Sequence, residues 1–260
     1  MQLTLESINI GYPQKHEDLV VCEGIHFSAN AGDLVGVIGS NGIGKSTFLR
    51  TLAGLQPALK GIVSLDGQDI TGLSPKDLSR QISVVLTDPI ATKNLTVREL
   101  ISLGRQPYTN WLGILSKDDL TKIEQVISML QLADIQDRIC YELSDGQLQR
   151  VMIGRALAQD TPVIILDEPT MHLDLVHKVQ LLKLLGSIAN ELQKLIVFST
   201  HEINLAIQLC SHLLVMTKKG VRFGSPDTLI RNDSLQQLFP NEEVYFDPKT
   251  KSFTFEAAAD

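Results

Sequence analysis

Three short runs of the 260-residue chain are apolar throughout: Leu34-Val35-Gly36-Val37-Ile38, Val163-Ile164-Ile165-Leu166 and Leu195-Ile196-Val197-Phe198. Runs of this length predict strands buried on both faces, as in a parallel sheet. Between them the period changes. From Lys45, the residues Phe48, Leu49, Leu52 and Ala53 fall on one helical face, and Gly54 offers a C-terminal stop. Leu3, Leu5, Ile8 and Ile10, taken with Ile62-Val63-Ser64-Leu65, predict a more antiparallel β layer beside the first glycine-rich turn. From about residue 88 to 158 strand signals fade, predicting a helical lobe inserted in an α/β core. Within it, Ser116-x-x-Asp119 predicts a helix start, after which Leu120, Ile123, Ile127 and Leu130 recur at the spacing of one helical face. A second helix is expected after Gly146, with Leu148, Val151, Met152, Ala156 and Leu157 inside. Val244-Tyr245-Phe246 and Ser252-Phe253-Thr254-Phe255 flank Asp247-Pro248-Lys249-Thr250 and predict a hairpin within an extension of about 241–260.

Composition narrows the function classes. Hydrophobic residues at 43% and charged residues at 20% are globular values and exclude wholesale disorder. The 30 acidic against 23 basic residues give a net charge of -7, which weighs against nucleic acid as a partner. Cys22, Cys140 and Cys210 are odd in number and far apart, so they read as small buried residues of a reducing compartment rather than a disulfide or zinc framework. Met1-Gln2-Leu3-Thr4-Leu5-Glu6 shows no secretory signal, and the apolar stretch 179–200 is broken by Lys183, Asn190, Glu191, Gln193 and Lys194. A cytoplasmic location follows as the expectation, with any membrane role exercised through a partner.

The sharpest motif is Gly39-Ser40-Asn41-Gly42-Ile43-Gly44-Lys45-Ser46-Thr47, the pattern G-x-x-x-x-G-K-[ST] between a predicted strand and a predicted helix. Its glycines let backbone N–H groups close around phosphate oxygens, Lys45 reaches the β and γ phosphates of a nucleoside triphosphate, and Ser46 offers a hydroxyl to Mg²⁺. Asp167-Glu168 directly follows a buried strand, where the ligand crevice of an open α/β sheet lies. Asp167 is expected to hold Mg²⁺ and Glu168 to polarise the attacking water, whereas alone such a pair is often a solvated strand end. Leu143-Ser144-Asp145-Gly146-Gln147 precedes a helix, placing Ser144 and the amides near Gly146 at a possible anion site.

The phosphate loop, this pentapeptide, Asp167-Glu168 and Ser199-Thr200-His201 occur in the order and spacing of the ATP-binding subunits of ABC transporters, which the chain resembles over residues 1 to about 230. The resemblance implies a P-loop NTPase of the RecA-like kind with an antiparallel β subdomain and an inserted helical subdomain, the whole chain forming one ABC ATPase domain. It also implies a head-to-tail dimer with a second copy, each ATP lying between the phosphate loop of one copy and Ser144, Asp145, Gly146 and Gln147 of the other. By the same analogy Tyr12 stacks on adenine rather than merely packing at a strand end. His201 contacts the γ phosphate and orients the water with Glu168, and Asp174 belongs to a loop crossing the dimer interface.

Two positions depart from the family pattern. Asp145 stands where the signature usually has its first glycine, and either weakens the opposing half-site or points away. Thr87 stands where a Mg²⁺-contacting glutamine is usual, so a direct contact with Mg²⁺ is not expected. Residues 94–100 and Leu103-Gly104-Arg105-Gln106-Pro107-Tyr108 resemble importers of iron-siderophores, haem and cobalamin. That implies hydrolysis at the cytoplasmic face of the inner membrane, powering a separate permease fed by a substrate-binding protein. Tyr108 and Trp111 are then either exposed anchors for the permease or part of the helical packing. The alternatives are an ABC ATPase uncoupled from transport and a nucleotide-gated binding module.

Overall fold

The computed structural model describes residues 1–87, 94–239 and 244–255. Strands β1 (Gln2–Tyr12) and β2 (Leu19–Asn30) form an antiparallel pair, followed by β3 (Leu34–Gly39), helix α1 (Lys45–Leu52), β4 (Lys60–Leu65) and the two-residue β5 (Gln68–Asp69). The short α2 (Pro75–Leu78) leads to β6 (Ile82–Val85), and three helices come next: α3 (Val97–Ser102), α4 (Lys117–Met129) and α5 (Asp145–Ala158). The chain continues through β7 (Val163–Leu166), α6 (Leu175–Glu191), β8 (Leu195–Ser199), α7 (Ile203–Leu209), β9 (His212–Thr217), β10 (Gly220–Gly224) and α8 (Pro226–Arg231). Strands β11 (Val244–Asp247) and β12 (Ser252–Phe255) close it as the expected hairpin.

The central sheet has the order β10-β9-β3-β8-β7-β6, parallel except for its β10 edge. The expected antiparallel layer is a second sheet, β2-β1-β4-β5, in which Leu3 pairs with Leu65 and Leu5 with Val63. Alternation along the central strands divides the core. Val35, Val37, Ile165 and Val197 pack with α1 and the antiparallel sheet, while Leu34, Ile38, Ile164, Leu166 and Phe198 face the helices. Each such side chain removed from water contributes roughly 1.5–3 kcal/mol, so the sheet is fixed from both faces.

Several expectations need correction. Leu120 is exposed, because the inward position one turn before Ile123 is held by the buried Asp119, paired with Arg105 at 2.8 Å. The second helix starts at Asp145, because Ser144 caps it and Gln147 returns the bond. Cys140 and Cys210 are buried, but Cys22 on the outer strand β2 is only half-buried. Tyr108 is half-buried beneath Arg105 and Arg80, at 4.0 and 5.2 Å from its ring, and its hydroxyl donates to the Gln159 carbonyl at 3.0 Å. Trp111 is 91% exposed. The predicted pair therefore splits into one packing residue and one exposed one. Asp88 and Pro89, and residues 240–243 and 256–260 around the hairpin, lie outside the described residues.

Candidate functional site

The site is assembled at the C-terminal ends of β3, β7 and β8. After Gly39 the chain turns through residues 40–44 into α1, and the turn needs positive φ at Gly42 (73°) and Gly44 (109°). A Cβ at Gly44 would lie 2.3 Å from Val21 Cγ1, so no other residue fits there. Gly44 is also the N-cap of α1, and no side chain caps this helix. Its first-turn amides are the orphan donors that draw an anion.

Lys45 is buried, and its Nζ donates to the Gly39 and Ser40 carbonyls at 3.0 and 3.3 Å. Burial pushes its pKa down, and the nearby carboxylates of Glu168 and Asp167 oppose that shift. Ser46 is exposed, Thr47 is buried, and the Tyr12 hydroxyl lies 3.1 Å from Thr47 Oγ1. Tyr12 thus ends β1 with its ring fixed to the first turn of α1 and about half exposed.

The carboxylates are aimed by backbone strain and a serine. Glu168 has φ 49°, a left-handed conformation costing a non-glycine residue on the order of 1–3 kcal/mol. Its N–H donates to Ser199 Oγ at 2.8 Å, and that hydroxyl donates to Asp167 Oδ1 at 2.6 Å. Ser199 ends β8, the parallel neighbour of β7, so sheet register sets both acids. Two residues on, His201 Nε2 lies 2.7 Å from Glu168 Oε1. Sequence order alone assigned no role to Ser199; its signal is a hydroxyl at the end of the strand beside an acidic pair.

A second face lies elsewhere on the chain. Ser144, Asp145, Gly146, Gln147, His172 and Asp174 line one groove of about 640 Å³, which joins the start of α5 to the loop before α6. Ser144 Oγ accepts from the Gln147 N–H at 3.3 Å, while Gln147 Oε1 accepts from the Ser144 N–H at 3.1 Å. Asp145 is exposed in the first turn, and no hydrogen bond or ion pair holds its carboxylate among the described residues. Asp174 caps α6, and the His177 N–H and imidazole hold its carboxyl below the usual carboxylate range. The lining of this groove includes none of residues 39–47, Asp167, Glu168 or His201, so the predicted residues fall into two separate sets on the chain. Thr87 is exposed just after β6.

Among the described residues no group of three or more His, Cys, Asp and Glu side chains is placed to hold a metal ion. The Ser46 hydroxyl and Asp167 carboxylate are hard oxygen donors of the kind that suits Mg²⁺ when phosphate and water complete its shell. Nor is any helix among the described residues long and apolar enough to cross a membrane.

Known proteins match this arrangement. The family model described as ABC transporter matches residues 22–171. The iron(3+)-hydroxamate import ATP-binding protein of Bacillus subtilis is 36% identical over 251 residues, covering 95% of this chain and 91% of its own length. A transporter assigned to the metal-chelate type, solved in an inward-facing conformation, superposes with a TM-score of 0.79 at 26% identity, covering 97% of this chain and 94% of that one. A dimeric ATP-binding cassette in a post-hydrolysis state with ADP and Pi gives a TM-score of 0.73 at 26% identity, covering 86% and 98%. This chain belongs to the ATP-binding subunits of ABC transporters, ATPases built on the P-loop fold.

Proposed function

We propose that the protein hydrolyses ATP to power import of a metal-chelate cargo, an iron-siderophore, haem or cobalamin, through a separate membrane permease. The observation that carries the reading is the contact of His201 with Glu168, 2.7 Å, on the same sheet edge as the phosphate loop. Residues 39–47 cradle the triphosphate, and Lys45 exchanges its loop carbonyls for phosphate oxygens. Tyr12 flanks the adenine. Ser46 and Asp167 would hold Mg²⁺, which would neutralise phosphate charge, and the exposed Thr87 is not expected to contact it directly. Glu168 accepts a proton from the attacking water, and His201 orients both.

Because the groove of Ser144, Asp145, Gly146 and Gln147 includes none of residues 39–47, a second copy in head-to-tail arrangement completes each site, with Asp174 at the interface. Binding of two ATP closes the dimer because ATP interacts differently with its open and closed states. Residues 94–158, the described part of the segment from about 88 to 158, serve as the helical subdomain of one ABC ATPase domain. The exposed Trp111 is the apolar anchor that faces the permease at the cytoplasmic side of the membrane, and a substrate-binding protein acts further upstream.

Steady-state Mg²⁺-ATP turnover of the dimer tests this directly. Glu168→Gln is expected to lower kcat by about 10²–10⁴-fold while ATP is still bound. Turnover equal to the parent's would favour the second reading, a nucleotide-gated binding module, for which Thr87 and the unpaired Asp145 speak. Tagged Glu168→Gln protein drawn from solubilised membranes is expected to bring a polytopic permease with it. Recovery of soluble partners alone would assign an ATPase uncoupled from transport.

A further inference from the structure

The helix that follows His201 is held partly by the ATPase core, where Ala206 and Ile207 are buried, and partly from outside it. Helix α7 has seven residues, too few to be stable alone, and its N-cap Glu202 makes no side-chain capping bond. Its position is therefore set by what it touches. On one side Glu202 pairs with Lys178 of α6 at 2.5 Å. On the other, Asn204 meets the hairpin: Asn204 Oδ1 accepts from the Phe253 N–H at 2.8 Å, and Asn204 Nδ2 donates to the Phe253 carbonyl at 3.4 Å. The backbone N–H must donate and the carbonyl must accept, so the amide orientation is fixed. The Asn204 side chain thus acts as a strand neighbour on the free edge of β12.

The hairpin is anchored in turn. A lone two-stranded hairpin is marginal in water, so this one depends on docking. Phe246 is buried, Phe253 packs edge-on to Phe246 and Phe239 with ring centroids 5.2 Å apart in both pairs, and Ile203, Leu205 and Leu209 of α7 join the same apolar cluster. Lys251 Nζ lies 2.7 Å from Asp227 Oδ1 of α8.

We propose that the C-terminal hairpin is a positioning element for the ATPase reaction, acting through Asn204 and α7 to hold His201 against Glu168. Asn204 is three residues from His201, and among the described residues no hydrogen bond or ion pair joins the hairpin to the phosphate loop or the acidic pair. Its effect falls on the placement of His201, not on nucleotide affinity; displacements of about 1 Å in such groups cost up to about 10²-fold in rate. This rests on the role given to His201 above.

The test is single-turnover ATP hydrolysis by the full chain, with KM for ATP measured in parallel. Asn204→Ala is expected to lower the rate about tenfold, equivalent to about 1.4 kcal/mol, with KM unchanged. Asn204→Asp keeps the acceptor for the Phe253 N–H but turns a carboxylate oxygen toward the Phe253 carbonyl, and is expected to restore only part of the rate. In a His201→Ala background, Asn204→Ala is expected to add almost nothing, the non-additivity of residues that act as a unit. A parental rate for Asn204→Ala beside a slow His201→Ala overturns the hairpin's role alone. So does an equal loss in both backgrounds, or a joint change in rate and KM. A parental rate for His201→Ala instead removes the reading of His201, and the hairpin's role with it. Should Asn204→Ala fail to fold, Phe253→Leu, which trims the docking ring, is judged by the same cycle.

Discussion

Helices α1 and α5 both carry residues expected to bind nucleotide in or just before their first turns, yet those turns are opposites. At α1 the N-cap is Gly44 in the left-handed region, no side chain caps the helix, and the buried Lys45 ammonium adds charge beside the open amides. At α5 Ser144 and Gln147 satisfy each other's backbone donors, and Asp145 already places a carboxylate in the first turn. A helix start left open by its sequence recruits an anion. One closed by a capping box is stable without a ligand and can offer only its remaining donors.

Four variants sharpen that contrast, beginning with a third helix start. At α4 the capping carboxylate, Asp119, is itself buried and paired with Arg105. Asp119→Ala leaves a buried guanidinium without its partner and should cost about 3–5 kcal/mol, read by urea unfolding. Burial alone would raise the Asp119 pKa, but the Ser116 hydroxyl and amide, with Arg105, hold it below its ordinary value of 3.8. A carboxyl lowered on folding stabilises the fold above that value and ceases to do so as pH falls from there through the lowered one. Acid should therefore narrow the gap between parent and Asp119→Ala.

Lys45→Ala removes charge-assisted bonds worth about 1.5–3 kcal/mol to phosphate, a loss of roughly 10–100-fold in ATP affinity by calorimetry. Because Lys45 is desolvated on folding, the nucleotide-free variant should unfold no earlier than the parent. Ser144→Ala is the reverse case: losing the cap should lower stability by about 1 kcal/mol, seen as a lower melting temperature without ATP. A melting temperature unchanged by Ser144→Ala would mean that the box contributes nothing. The smallest effect belongs to Asp145→Asn, which removes a first-turn charge worth about 0.3–1 kcal/mol to the helix while relieving repulsion toward phosphate. ATP-dependent dimerisation, followed by light scattering, should strengthen slightly as stability falls.

Much of this was legible from the residues. Uninterrupted apolar runs located β3, β7 and β8, because strands covered on both faces have no polar alternation to confuse the pattern. The phosphate loop was legible because its glycines answer a local backbone demand. What stayed hidden depended on distant partners. Leu120 kept the spacing of the apolar face until Asp119 took the buried position with Arg105, a residue fourteen places earlier. Tyr108 was indistinguishable from Trp111 until Arg105 and Arg80 stacked on its ring. Ser199 gained its meaning only from the register of β7 against β8, and Asn204 only from a strand forty-nine residues later.

The three thiols carry a practical consequence. Burial drives the pKa of Cys210 far up beneath Gly36, and raises that of Cys140, so neither offers a reactive thiolate. Cys22 is also raised but is half-buried, and it adjoins Val21, whose methyl group abuts Gly44 of the phosphate loop. A fluorophore attached by maleimide chemistry to the unaltered chain would thus settle mainly on one atom. It would sit next in sequence to Val21 on β2, marking the strand that lies against the phosphate loop without altering the chain.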